Sequence, residues 1–241
     1  MTNHGTPGKG PLAQHYDNYS VDGLFLRYAR GQIRIFWPRL MFEAVVGILL
    51  GVVVAPTVGA LAFLVVGTVE LVEGTFLHFA YKRLKAGASS LWFRRVSIIT
   101  ALMQGCALSF GACAPYWAEP LLGVASLGQI SPLFTFGLMV GGALNAVFQI
   151  PFNRPATIAR LSVFALASFS LLIAGLITAG HADFKLQLAG LVILFSALFW
   201  FLSHVIRTFA RTRSILLTQA LQQQELEGAY QRLLEQQTEA K

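Results

Sequence analysis

Glu70 and Glu73 stand three residues apart in the stretch GTVELVEGTFLHFAYKRLKA (67–86), and His78 follows five residues later. Arg39 and Glu43 stand four apart in FWPRLMFEA (36–44). Spacings of three and four put two side chains on one face of a helix. Three carboxyls and a guanidinium so arranged can pair as ions, hold or pass a proton, or grip a ligand, and an imidazole adds a proton carrier or metal ligand. All five lie among Val, Leu and Phe. Their chemistry therefore depends on the solvent around those segments.

Of the 241 residues, 55% are hydrophobic and 12% charged, and the mean hydropathy is +0.62. Soluble domains carry about 25% charged residues. This chain cannot cover itself with polar surface in water and belongs to the integral membrane class. Crossing about 30 Å of hydrocarbon takes about 20 apolar residues. Six stretches supply them, at 35–54, 57–80, 94–114, 121–149, 157–180 and 186–206. The expected fold is all-α, a polytopic six-helix transmembrane bundle. APT (55–57), APYWAEP (114–120) and GHADF (180–184) end spans on one side, each with a Pro or Gly as the break.

Sixteen of the 18 Lys and Arg fall in residues 1–34, 81–95, 150–160 and 207–241. Only Lys185 lies in a connection on the other side, and Arg39 lies in the first span. The excess of positive charge on cytoplasmic loops places both termini in the cytoplasm. It also accounts for the net charge of +7 without nucleic acid. Residues 1–17, rich in Gly, Asn, His and Pro, are expected to be disordered. Residues 18–34 put Val21, Leu24, Phe25 and Tyr28 at helical spacing opposite Arg27, Arg30 and Arg34, the pattern of an interfacial amphipathic helix on anionic lipid. No cleavable signal peptide opens the chain.

A hairpin folded about Ala55 brings residues of the first two spans to matched depth, Glu73 beside Arg39 and Glu70 beside 41–43. A lone charge at the membrane centre costs about 2.5–3.5 kcal/mol, so Arg39, Glu43, Glu70 and Glu73 should form one inward cluster. That cluster is either a fixed ion pair or, with His78, a ligand, quinone, proton or redox site. His78 and His204 lie at similar distances from the cytoplasmic ends of their spans and are the minimum for bis-imidazole ligation of haem b; hydrogen bonding between helices is the plainer role for both. Gly47 and Gly51, and Gly137 and Gly141, are small pairs at i, i+4 that allow close helix approach or a dimer seam. Ser131–Pro132 should kink the fourth span. Cys106 and Cys113 lie about 10 Å apart along a helix, too far for a disulfide within it. No phosphate loop, metal-ligand run or G-x-S-x-G is present, and the soluble parts are too short for a catalytic domain.

From Arg207 onward RTFARTRSILLTQALQQQELEGAYQRLLEQ (207–236) is polar, rich in Gln, Glu and Leu, and free of Pro. Phe209, Leu216, Leu226, Tyr230 and Leu233 fall on one a/d register, interrupted by Thr212, Gln219, Gln223 and Gln237, as in a weak parallel coiled coil. Six apolar spans running into such a helix resemble the N-terminal membrane sensor region of bacterial polytopic signalling receptors, chiefly sensor histidine kinases of two-component systems and some diguanylate cyclases. The resemblance implies a homodimer in the bacterial cytoplasmic membrane, a small-molecule ligand or a redox or pH stimulus, and a relay along 207–236 to a cytoplasmic output domain or partner kinase. The chain stops at Lys241, where such a domain would begin, so the expectation is a truncated chain or relay through a partner. The competing expectations are a small transporter or channel subunit using Glu43, Glu70 and Glu73, and a haem-binding membrane cytochrome.

Overall fold

The computed structural model describes residues 10–123, 132–179 and 181–239, and every regular element among them is an α-helix. Helix α1 (Pro11–Tyr19) opens on a proline, whose missing N–H is no loss in a first turn. Ser20 then caps α2 (Val21–Arg34), its hydroxyl accepting from Gly23 N at 3.0 Å, with Asp22 in the first turn and Arg34 in the last. Helices α3 (Phe36–Val53) and α4 (Pro56–Lys85) form a hairpin through extended Ala55. Lys82, Arg83 and Lys85 end α4, where the helix dipole favours cations. Helices α5 (Leu91–Ala112), α6 (Ala114–Leu122), α7 (Pro132–Val147), α8 (Arg154–Ala179) and α9 (His181–Glu239) follow.

Four helices among the described residues are long and apolar enough to cross a membrane, namely α3, α4, α5 and the part of α9 within Leu188–Tyr230. Large apolar side chains such as Trp37, Ile48, Leu64, Ile99 and Phe199 stand exposed on the outer faces, a surface suited to lipid. The expected fourth span at 121–149 is not one helix. Gly123, in the left-handed region at φ 63°, closes α6, and Pro132 opens α7. Ser131, the other half of the expected kink, lies outside the described residues. The expected connection at 114–120 is itself helical as α6. Its Trp117 stacks on Phe110 at 4.4 Å and donates to the Phe110 carbonyl at 2.8 Å.

Helix α4 is the axis of the packing, with α2, α3 and α5 against it; α8 lies on α5, and α7 and α9 lie on α8. Two apolar clusters sit along it. Leu50, Val54, Val58, Ala62, Ala114 and Ala118 form one, and Phe25, Tyr28, Ala29, Leu77, Ala80 and Phe93 form the other. The α3–α4 crossing is close because it has almost no side chains. A Cβ on Gly59 would overlap Gly47 O and Gly51 N. The pair Gly47 and Gly51 thus packs within the chain against a third glycine. Gly137, by contrast, has open space at its Cβ position, Gly141 touches only the tip of Phe42, and Gly142 makes the close contact of α7, with Phe164.

The N-terminal segment differs from the sequence expectation. Residues 11–17 are helical rather than disordered, and α1 packs on α9. His15 and Tyr19 are buried there, 4.6 Å apart, with Tyr19 6.0 Å from Phe209. The apolar side of α2 docks on protein rather than lipid: Phe25, Tyr28 and Ala29 bury against Leu77, Ala80 and Phe93, and only Val21 stays exposed. The cause is the length of α4, whose last turns offer an apolar flank for α2, and Asp22 accepts a hydrogen bond from Ser90 in the α4–α5 connection. On α9, Phe209 is therefore covered by Tyr19 and by Phe152 at 5.5 Å rather than free in a seam, while Leu226, Tyr230 and Leu233 are exposed.

Two outcomes follow from this packing. Gly59→Ala forces α3 from α4 and costs about 1–3 kcal/mol, seen as a lower Tm in detergent, whereas Gly137→Ala leaves Tm unchanged. At the α1–α9 contact, burial, Arg213 and Arg27 hold the His15 pKa below the usual 6.5. The unfolded or undocked state binds more protons just below that value, so the His15 contribution is complete above it and declines as pH falls through it. Proteolysis within α1 should accelerate between about pH 7.5 and about pH 5.5. His15→Gln should abolish that acceleration, and an unchanged pH response in the variant would remove His15 as its cause.

Candidate functional site

Between the two apolar clusters of α4 the interior turns polar. Glu70 and Glu73 are 1% and 0% exposed, and Arg39 of α3 and Arg160 of α8 reach them from two sides. Arg39 Nη2 lies 2.6 Å from Glu70 Oε2, and its Nη1 lies 3.8 Å from Glu73 Oε2. Arg160 Nη2 donates to Glu73 Oε1 at 2.9 Å, and Arg160 Nη1 donates to Gln149 Oε1 at 3.1 Å. Helix α2 closes the site from its own side. Gln32 accepts from Arg39 Nη1, and the Tyr28 hydroxyl is 3.4 Å from Glu73 Oε1, a long contact. Tyr28 and Gln32 are four residues apart, so one face of α2 supplies both.

Nearby, buried Asn153 donates to Ser97 Oγ at 2.8 Å and ties the 148–153 turn to α5. That turn presents Gln149 to Arg160. Glu43 flanks Glu70 on the α3 side. It also lines an apolar cleft with Val46, Leu50, Ala62, Val66 and Met139, so one wall of the cleft carries a buried carboxyl.

With every group ionised, three carboxylates face two guanidiniums, leaving one negative charge in excess. Glu43 Oε2, Glu70 Oε1 and Arg160 Nε have no hydrogen-bond partner among the described residues. A buried charge left over in this way binds a proton or a cationic or donor group, because low dielectric makes an unmatched charge costly. The arrangement can thus act as a proton-binding centre or as the polar anchor for an amphiphile in the cleft. Cluster depth favours this. Arg39 and Arg160 lie within the first two turns of their helices rather than at the middle of either, and charge costs less near the end of a span than at its centre.

The structure brings together Arg39, Glu43, Glu70 and Glu73 and leaves out His78, whose side chain is exposed. Five residues beyond Glu73 rotate a helical position by about 140°, away from the cluster. His204 is exposed on α9, stacked on Trp200 at 5.8 Å and 3.5 Å from Thr208 Oγ1. Helices α4 and α9 share no substantial packing, so the two imidazoles do not face one another within the chain. No group of three or more His, Cys, Asp or Glu among the described residues is placed to hold a metal.

Four members of the cluster escape a reading of the sequence: Arg160, Tyr28, Gln32 and Gln149. Arg160 was counted with the cytoplasmic charges at 150–160, yet it is 2% exposed and sits inside α8. Its position one to two turns into an apolar helix, like that of Arg39, is the signal that marks it.

Removing one partner of a buried pair leaves the other charge unmatched and costs about 3–5 kcal/mol. Arg160→Leu should fall in that range by denaturation in mixed micelles, and Arg160→Leu combined with Glu73→Leu should recover much of the loss. Tyr28→Phe should cost under about 1 kcal/mol, given the long contact. Additive losses in the Arg160/Glu73 double variant would show that the two do not form a unit. No family model, curated protein or solved structure matches the chain.

Proposed function

We propose that the chain is the sensor module of a polytopic signalling receptor of the sensor histidine kinase type, in a bacterial cytoplasmic membrane. In this reading six spans leave both termini in the cytoplasm. The Arg39, Glu43, Glu70, Glu73 and Arg160 cluster responds to a membrane-soluble ligand or a change in protonation. Helix α9 carries the response to an output domain or partner kinase within a homodimer.

One observation carries the proposal: the cluster and the long helix are joined by packed elements. Arg160 belongs to α8, which lies on α9. Tyr28 and Gln32 belong to α2, whose neighbour α1 also lies on α9. A change of charge at Glu70 or Glu73 therefore alters contacts on α8, which touches α9, and on α2, which reaches α9 through α1. Coupling of this kind needs an element with two arrangements. A helix whose exposed Leu226, Tyr230 and Leu233 are flanked on the same register by Gln219, Gln223 and Gln237 supplies a weak, shiftable seam.

Disulfide crosslinking between copies, through single cysteines at 226, 230 and 233 in native membranes, tests the relay. Glu70→Gln should change crosslinking at one or more of these positions by about fivefold or more, the size of a modest coupling energy. An identical pattern in the parent, Glu70→Gln and Arg39→Leu would remove the relay. Ion flux in liposomes that depends on Glu70 would assign transport instead.

A further inference from the structure

The strongest feature outside the bundle is the groove between α1 and α9. It encloses a cavity of about 560 Å³, within the 300–1,000 Å³ typical of small-molecule sites. Gln219 and Gln223 of α9 line it, with His15 and Tyr19 of α1 and Arg27 of α2. Arg27 lines the groove, and Arg213 stands at its edge, each guanidinium against the Tyr19 ring. The Arg27 guanidinium carbon lies 4.7 Å from the Tyr19 ring centroid and that of Arg213 lies 5.3 Å from the same centroid. They are no farther apart than about 10 Å, one Debye length at 0.1 M salt, so each feels the other's charge.

Among the described residues neither guanidinium has a carboxylate within ion-pair distance. Glu227, the carboxylate on the groove wall among the described residues, accepts from Gln223 Nε2 at 3.1 Å. Two like charges held against one ring, beside amide donors and a buried imidazole, make a concave surface short of an anion. Planar guanidiniums match phosphate oxygens in geometry as well as charge.

We infer that this groove binds a soluble, phosphate-bearing small molecule of nucleotide size, held by Arg27 and Arg213 with Gln219 and Gln223 as further donors. A lipid headgroup fits the position less well. Arg213, the site residue of α9 nearest the membrane, is six residues past Arg207, or about 9 Å along the helix. The headgroup layer is only about 5–7 Å thick on each side. The inference does not rest on ligand sensing in the bundle, since it concerns only α1, α2 and α9. Its consequence for the relay is a second input: a bound anion bridges Arg27 to Arg213 and clamps α9 to the N-terminal helices.

Calorimetric titration of the full chain in detergent with ATP and with inorganic pyrophosphate tests the site. Saturable binding of at least one probe is expected, weakened about tenfold or more by Arg213→Ala and retained in Arg213→Lys. Arg30→Ala removes an equally basic but exposed side chain outside the groove and should leave the affinity unchanged. Arg213 is itself exposed, and circular dichroism with gel filtration verifies that the variant keeps its fold. Equal weakening by Arg30→Ala and Arg213→Ala would reduce the effect to diffuse charge and overturn the inference. Absence of binding by either probe at millimolar concentration overturns it as well. So does binding confined to phosphatidylglycerol vesicles.

Discussion

Everything in this structure depends on two guanidiniums drawn into an apolar interior. A guanidinium, unlike an ammonium, does not escape burial by losing its proton. Arg39 and Arg160 must each find carboxylates in the interior or be expelled toward water. The sequence puts those carboxylates one turn apart on α4, and α3 and α8 are thereby fixed against α4 in rotation as well as position. Apolar contacts alone would specify neither, since lipid is as good a solvent for Leu as another helix is. The cluster therefore does for this bundle what hydrophobic burial does for a soluble core, at the cost of a site with one charge too many.

The excess charge links architecture to activity. A balanced pair would be a clamp and nothing more. An odd carboxyl beside an apolar cleft responds to whatever neutralises it, and Glu43 occupies that position because it joins the cluster on one side and the cleft on the other. Helix α2 seals the remaining side with Tyr28 and Gln32, neutral groups that satisfy oxygens and donors without altering the charge. A polar network that is partly satisfied in this manner is the part of a membrane protein most easily switched by a proton or a ligand.

How much of this was legible in the sequence depends on which coordinate is meant. Depth was legible within the first hairpin: two helices joined by a tight turn set residues of matched number at the same level, so Arg39 meets Glu70 and Glu73. Rotation about the helix axis was legible only by counting turns, and His78 shows the result of matching depth alone. Arg160 arrives from a helix four elements further along the chain, with no turn geometry to register it. An apolar stripe such as that of α2 is equally consistent with lipid and with a protein flank; the extra length of α4 decides, and no local pattern in residues 18–34 encodes that length. The end of α6 follows from Gly123, visible in the sequence, but hydropathy averaged over 121–149 conceals it.

Helix α9 carries these constraints beyond the packed bundle. Its 59 residues extend about 90 Å without a break, so its near part cannot rotate or tilt without moving its far part. Contacts hold it at several heights: Phe201 meets Phe148 at 5.3 Å, Phe209 meets Phe152 and Tyr19, and Arg213 lies over Tyr19. Beyond these anchors the apolar side chains Leu226, Tyr230 and Leu233 stand exposed at spacings of four and three, the step of a heptad. A rigid rod anchored near its middle and uncovered at its end turns a small rotation at the bundle into a change in the direction its exposed apolar side chains face. Gln219, Gln223 and Gln237 flank this apolar run on the same register. The same reasoning explains why α1 matters to the fold although it lies outside the bundle: it grips α9 at the point between the charged interior and the free seam.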